Sequence, residues 1–143
     1  MVEKLALAEG TFNGCFGCGP DNPVGLKLAF EKTDGVVRSH TKITRAYAGY
    51  RDFAHGGIVA TMLDEAMGWA MLHLAGKHGV TKALRVQYRR PVIVERPIVL
   101  SARVTAQQAS NVTLEARIED ERGRLLALAE GDWAVVREER SGA

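Results

Sequence analysis

The stretch GGIVATMLDEAMGWAMLHLA, residues 56–75, decides how the rest of the chain is read. It is apolar at nearly every helical angle and too long for one strand, the pattern of a buried helix. Asp64 and Glu65 lie in its middle, with Gly68 and His73 after them, so it is not expected to span a membrane. Gly76 and Gly79 bracket its end, and Lys77 suits the negative pole of the helix dipole.

Working outward, two short strand-like runs precede the helix, residues 26–31 and 36–41. They flank Thr33-Asp34-Gly35, and Asp-Gly between apolar runs is a hairpin signal. Upstream, residues 1–25 are crowded with turn formers, among them Gly14, Gly17, Gly19, Pro20 and Pro23. Residues 45–53 read as irregular. After the helix, Leu84, Val86 and Tyr88 alternate with Arg85, Gln87 and Arg89. Ile98, Leu100, Ala102 and Val104 alternate in the same way, and runs at 112–119 and 125–136 complete a four-strand meander on each side of the turn Asp120-Glu121-Arg122-Gly123. One central helix is the candidate cover for the apolar face of these strands. The expected class is α+β, a curved antiparallel sheet of six strands wrapped around one long helix.

The whole chain of 143 residues is expected to form one domain, with length enough for a core that needs no staples. Hydrophobic residues at 46% and charged residues at 25% exclude wholesale disorder. Nineteen Lys and Arg against seventeen Asp and Glu give a net charge of +2, too even a balance for a nucleic-acid binder. The opening MVEKLALAEG has an acid at its third position and a short apolar run, a poor signal peptide, so the expected compartment is the cytoplasm.

Asp64 carries the sharpest chemical signal. Successive helical residues step by roughly 100°, which puts Ala60, Thr61, Gly68, Met71 and Ala75 beside it. Glu65 faces another side, among Ile58, Thr61, Trp69 and Leu72, so the two acids are not a close pair of the aspartic-protease kind. An ionised carboxylate in apolar surroundings is costly unless paired or solvated. Small neighbours leave space for a substrate and a water. An exposed stripe, an ion pair with Arg85, or close helix packing fits the same wheel. Just before the helix stands His55-Gly56-Gly57. Glycines there let a ligand approach the backbone, and the unpartnered first-turn N–H groups suit a developing oxyanion.

The segment from His55 through Asp64 to Gly68 resembles the His-Gly-Gly motif, with an acid at fixed spacing, of hot-dog-fold acyl-CoA thioesterases of the phenylacetate-pathway type. Residues 15–26 (CFGCGPDNPVGL) are similar to the N-terminal element of the subgroup containing thioesterase-superfamily members 4 and 5, and residues 81–91 resemble the strand after the helix. The resemblance implies a hot-dog fold and hydrolysis of an acyl-CoA thioester to free acid and coenzyme A. By the same resemblance Asp64 is the general base or nucleophile, and Gly57 supplies the N–H that polarises the thioester oxygen. His55 positions, and Thr81 orients the attacking water from the neighbouring subunit. Gly56 joins the substrate site, and Arg89 and Arg90, followed by Pro91, are candidates for the phosphates of coenzyme A. A homodimer or homotetramer is expected, because a lone sheet leaves strand edges open. Neither metal nor organic cofactor is expected, nor any nucleic-acid partner.

Two other functions compete. A hydratase on the same fold would need an acid and a histidine at the substrate's α and β carbons, and the D-x-N-x-x-H pattern of one such group is missing. A non-catalytic acyl-CoA-binding module would gain little from a carboxylate beside a thioester. Cys15-x-x-Cys18 reads as a structural loop with reduced thiols. A zinc site there would need His40 and another group to converge, or two chains to share the ion. His40, His73 and His78 have ordinary surface or capping explanations, and Trp69, Met71 and Trp133 read as packing residues.

Overall fold

The computed structural model describes residues 1–138; residues 139–143, included in the expected domain, lie outside the described part. The apolar stretch forms helix α1, Gly56–Ala75, with the expected bounds. His55 in extended conformation (φ −57°, ψ 138°) caps its start. Gly76 ends it at φ 68°, a left-handed conformation that glycine reaches without Cβ strain, and its N–H bonds the Leu72 and Met71 carbonyls. Met62, Leu63, Met67 and Met71 are almost fully enclosed. Each such side chain contributes about 1.5–3 kcal/mol by leaving water. Ala60, Thr61, Asp64 and Gly68 remain half-buried, so the helix keeps one stripe that the sheet leaves partly uncovered.

Among the described residues, seven strands form one antiparallel sheet against α1: β1 Glu3–Lys4, β2 Glu31–Thr33, β3 Val36–Thr41, β4 Lys77–Tyr88, β5 Ile98–Gln107, β6 Asn111–Asp120 and β7 Leu125–Glu138. Their order is β1-β2-β3-β5-β6-β7-β4. The Asp34-Gly35 turn closes the β2–β3 hairpin, with Thr33 opposite Val36. Alternating residues Ile98, Leu100 and Ala102 of β5 and Val112, Leu114, Ala116 and Ile118 of β6 are buried, the face assignment that alternation predicts.

Four expectations need correction. The sheet has seven strands among the described residues and not six, because the two-residue β1 adds at the edge of β2. The meander holds for β5–β6–β7, but β4 lies beyond β7 at the far edge and not beside β5. Alternation marks which face of a strand is buried and carries no information about its neighbour, and the 12-residue β4 finds its partner along the 14-residue β7. The run 26–31 is strand only from Glu31, because the Leu26 and Leu28 N–H groups bond the Phe16 and Gly17 carbonyls of the N-terminal loop. Strand β4 begins directly after Gly76 and takes in Gly79, where the register shifts.

The irregular segment before α1 folds back on itself. Its short 3-10 turn Arg45–Tyr47 is followed by a bridge between Ala48 and Ala54, and the His55 N–H bonds the Tyr47 carbonyl at 2.9 Å. Arg45 pairs with Asp52 at 2.8 Å across the same loop. This brace fixes where His55 enters the helix. Among the described residues no helix is long and apolar enough to cross a membrane.

Candidate functional site

Asp64 lies half-buried on the uncovered stripe of α1, facing the edge strand β4. Its Oδ1 accepts a hydrogen bond from the Thr81 hydroxyl at 2.6 Å, the short range of a charge-assisted bond. No ion pair joins Asp64 to a guanidinium among the described residues, so the alternative pairing with Arg85 is not formed. Strict alternation would turn Thr81 away with Arg85 and Gln87. The register slips between Thr81 and Ala83, with Thr81 opposite Trp133 and Ala83 opposite Asp132, so Lys82 is the extra residue of a bulge. That slip puts Thr81 on the face of Trp133, whose ring approaches Gly68 of α1. Thr81 and Asp64 belong to the same chain, which corrects the expectation that Thr81 reaches the acid from a neighbouring subunit.

At the other end of the helix, the His55 Nδ1 accepts the Gly57 N–H at 2.9 Å. The Ile58 and Val59 N–H groups both bond the His55 carbonyl. Gly57 is therefore not the open donor expected of it; its N–H is already committed to the capping imidazole. Gly56, the first helical residue, has no such bond among the described residues and is exposed, so its N–H is an open donor of the first turn. His55, for which a positioning role is expected, stands as the helix cap.

Tyr88 is a candidate residue that sequence reasoning missed. Its hydroxyl donates to the Gly56 carbonyl at 2.8 Å and so pins the peptide between the two glycines. It read as the third apolar residue of an alternating strand. The available signal was its hydroxyl, which needs a polar partner wherever the ring is partly covered. Arg89 and Arg90 follow directly and line, with Gly56, Tyr88 and Phe53, a cavity of about 280 Å³. The Arg89 guanidinium bonds the Gln87 side chain at 2.9 Å and that of Arg90 bonds the Leu125 carbonyl at 3.1 Å. Arg90 also borders a larger cavity of about 630 Å³ that includes Arg96, Arg122 and Arg124.

The site residues thus form two groups: Asp64 with Thr81, and His55, Gly56 and Gly57 with Tyr88, Arg89 and Arg90. Asp64 follows Gly56 by eight helical steps, a rise of about 12 Å. Glu65 points elsewhere, toward Cys15 of the N-terminal segment, as the helical wheel requires of two adjacent acids. Position 40 is a surface histidine, 3.4 Å from Glu31.

A family model described as the thioesterase superfamily matches residues 52–127, just over half of the chain. None of the curated proteins matches. Among solved structures, one described as a thioesterase superfamily protein superposes with a TM-score of 0.79 at 26% identity, covering 85% of this chain. This chain spans 60% of that protein's length. A hypothetical thioesterase from Streptococcus pneumoniae with coenzyme A gives a TM-score of 0.72 at 24% identity, covering 78% of this chain and 87% of that one. The E. coli PaaI protein from the phenylacetic acid degradation operon gives 0.71 at 18% identity, covering 81% and 84%. Their common architecture is the hot-dog fold, an antiparallel sheet around one central helix.

Proposed function

The chain belongs to the thioesterase superfamily, and on that footing we propose that it hydrolyses an acyl-CoA thioester to a free acid and coenzyme A. The observation that carries this reading is the Asp64 carboxylate held by Thr81 on an uncovered helix stripe, free of any counter-charge among the described residues. Thr81 occupies Oδ1 and leaves Oδ2 to take a proton from water as general base, or to attack directly as nucleophile. In the first case the water oxygen adds to the thioester carbon, the carbon–sulfur bond breaks, and the thiolate leaves and is protonated. The Gly56 N–H, at the positive end of the helix dipole, receives the oxygen that becomes negative.

One chain does not suffice for this chemistry. A donor and a carboxylate that serve the same carbonyl stand within about 7 Å of each other, since each approaches to about 3 Å. Gly56 and Asp64 are separated by more than that along one rigid helix. Strand β4 has a neighbour on one side alone, β7, and its free edge lies beside Asp64 and Thr81. Two chains paired edge to edge through β4 run their helices antiparallel, which brings Asp64 of one toward Gly56 of the other. The homodimer is then the unit that holds the site; a dimer of dimers would add to it without changing it.

Arg89 and Arg90 stand at the mouth of the cavity that contains Gly56, where a pyrophosphate group would meet guanidinium. The solved relative that carries coenzyme A supports this class of substrate. The motif from His55 to Asp64 resembles the phenylacetate-pathway type and the Cys15–Leu26 block the subgroup of members 4 and 5, and these resemblances support a proposed assignment there. The test is release of free thiol across acyl-CoAs from acetyl to palmitoyl and aromatic esters. Turnover of at least one is expected. If none is turned over while acyl-CoA still binds, the chain is a binding module.

Thr81→Ala is expected to lower kcat by about tenfold to a hundredfold, the worth of a hydrogen bond to a charged group. Thr81→Ser keeps the hydroxyl and should restore most of the rate. If Thr81→Ala equals the native enzyme in steady-state assays, the hydroxyl does not hold the acid for reaction.

A further inference from the structure

The reaction makes no use of Glu65, although a carboxylate in the middle of a helix packed in a core demands an explanation. Glu65 is half-buried and forms no ion pair among the described residues. Its hydrogen-bond partner is a thiol: the Cys15 Sγ stands 3.6 Å and 3.7 Å from its two oxygens, and the Cys18 Sγ lies close by. A thiol is a weak donor, poor compensation for an acid removed from water. Both cysteines are free, and one ligand atom from each of Cys15, Cys18 and Glu65 lies within 4.8 Å of the others.

We propose that Cys15, Cys18 and Glu65 form a zinc-type divalent-cation site that clamps the N-terminal segment onto the central helix. Two thiolates and a carboxylate are a tetrahedral ion's donor set, with the fourth position left to water, and the C-x-x-C spacing is that of zinc-binding loops. With Zn–S near 2.3 Å and Zn–O near 2.1 Å, a tetrahedral site sets sulfur and oxygen ligands about 3.6 Å apart. The Cys15–Glu65 separation already has that value. Binding balances as two thiol protons released per ion, which brings two charges to meet the three of the ligands.

The loop that presents the sulfurs is built to be rigid. The Gly19 N–H bonds the Cys15 carbonyl at 2.8 Å, and the Asn22 side chain holds the Gly14 carbonyl at 3.0 Å. A Cβ on Gly19 would stand 2.3 Å from the Asn13 oxygen, and one on Gly17 would stand 2.6 Å from the Glu65 carboxylate. Glycine at both places is what lets the backbone wrap this closely around the acid. Burial, and then Glu65 itself, pushes the Cys18 thiol up. His40, a ligand considered from sequence, is held by Glu31 instead, and Glu65 supplies the third ligand. The clamped segment walls a cavity of about 630 Å³ against Glu65, Gly68 and Trp69, so the ion would hold that wall in place.

The test is titration of the reduced full-length protein with cobalt(II) and zinc(II), followed by absorbance and by metal analysis. One cobalt per chain is expected, with a thiolate-to-cobalt charge-transfer band, displaced by one zinc with a rise in Tm. The Cys15→Ser/Cys18→Ser variant should lose the band, and Glu65→Gln should weaken binding at least about tenfold while keeping sulfur ligation. The native protein alone can overturn the proposal: no charge-transfer band in the reduced chain, or zinc that leaves Tm unmoved, does so. So does a pair that closes to a disulfide under mild oxidation, with a mass loss of two hydrogens, in a reduced protein that takes up no cobalt.

Discussion

Replacing Asp64 with Asn is expected to lower kcat for acyl-CoA hydrolysis by about two to four orders of magnitude, the usual contribution of a positioned base. The amide is nearly isosteric and can still accept the Thr81 hydroxyl, so the geometry at β4 should survive. What is lost is the negative charge that takes a proton or attacks the carbonyl. Because the side chain sits on an uncovered stripe and not in the sealed core, Tm should move little. KM should change less than kcat, since phosphate recognition would lie at Arg89 and Arg90, on the other group of residues. A variant that is folded and keeps more than a tenth of the native rate would remove Asp64 from the chemistry.

The second large effect is a rescue. Gly56→Pro removes the first-turn N–H and is expected to cost about a hundredfold to a thousandfold in kcat, as loss of one oxyanion donor does. The fold should accept it: proline is at home at the first position of a helix. The preceding His55 is already in the extended conformation that proline imposes, and an added Cβ meets the Tyr88 hydroxyl at an ordinary 3.7 Å. Asp64→Asn and Gly56→Pro can be co-expressed under two affinity tags, and the mixed dimer isolated through both. If each site takes Asp64 from one chain and Gly56 from the other, one of its two sites is intact. The mixed dimer should then recover roughly half of the native rate from two nearly inactive parents. A mixed dimer no faster than its parents would show that donor and acid come from the same chain.

How much of this was legible in the chain varies from residue to residue. The helix and its bounds were, because a twenty-residue apolar run ending at a left-handed glycine has few other solutions. The divergence of Asp64 and Glu65 was also legible, since helical geometry alone separates adjacent side chains. The position of β4 was not. Hydrophobic alternation specifies a buried face, whereas the neighbour of a strand depends on how the connection between residues 88 and 98 crosses the molecule.

Sequence by itself determined the class of the protein: the helix, the alternating strands, the Asp-Gly hairpin and the motif that marks His55, Gly56, Gly57 and Asp64. Tertiary structure decided which of these groups meet. The bulge at Lys82 turned Thr81 toward Asp64, the histidine cap took the Gly57 N–H and left that of Gly56 open, and Tyr88 arrived from the far strand. It also brought Glu65 to the thiols of Cys15 and Cys18, far earlier in the chain. Local preferences and periodicity act over a few residues and can be read along the chain. Contacts between distant segments are chosen by packing and by the need to satisfy buried polar groups, and these exist only once the chain has closed on itself.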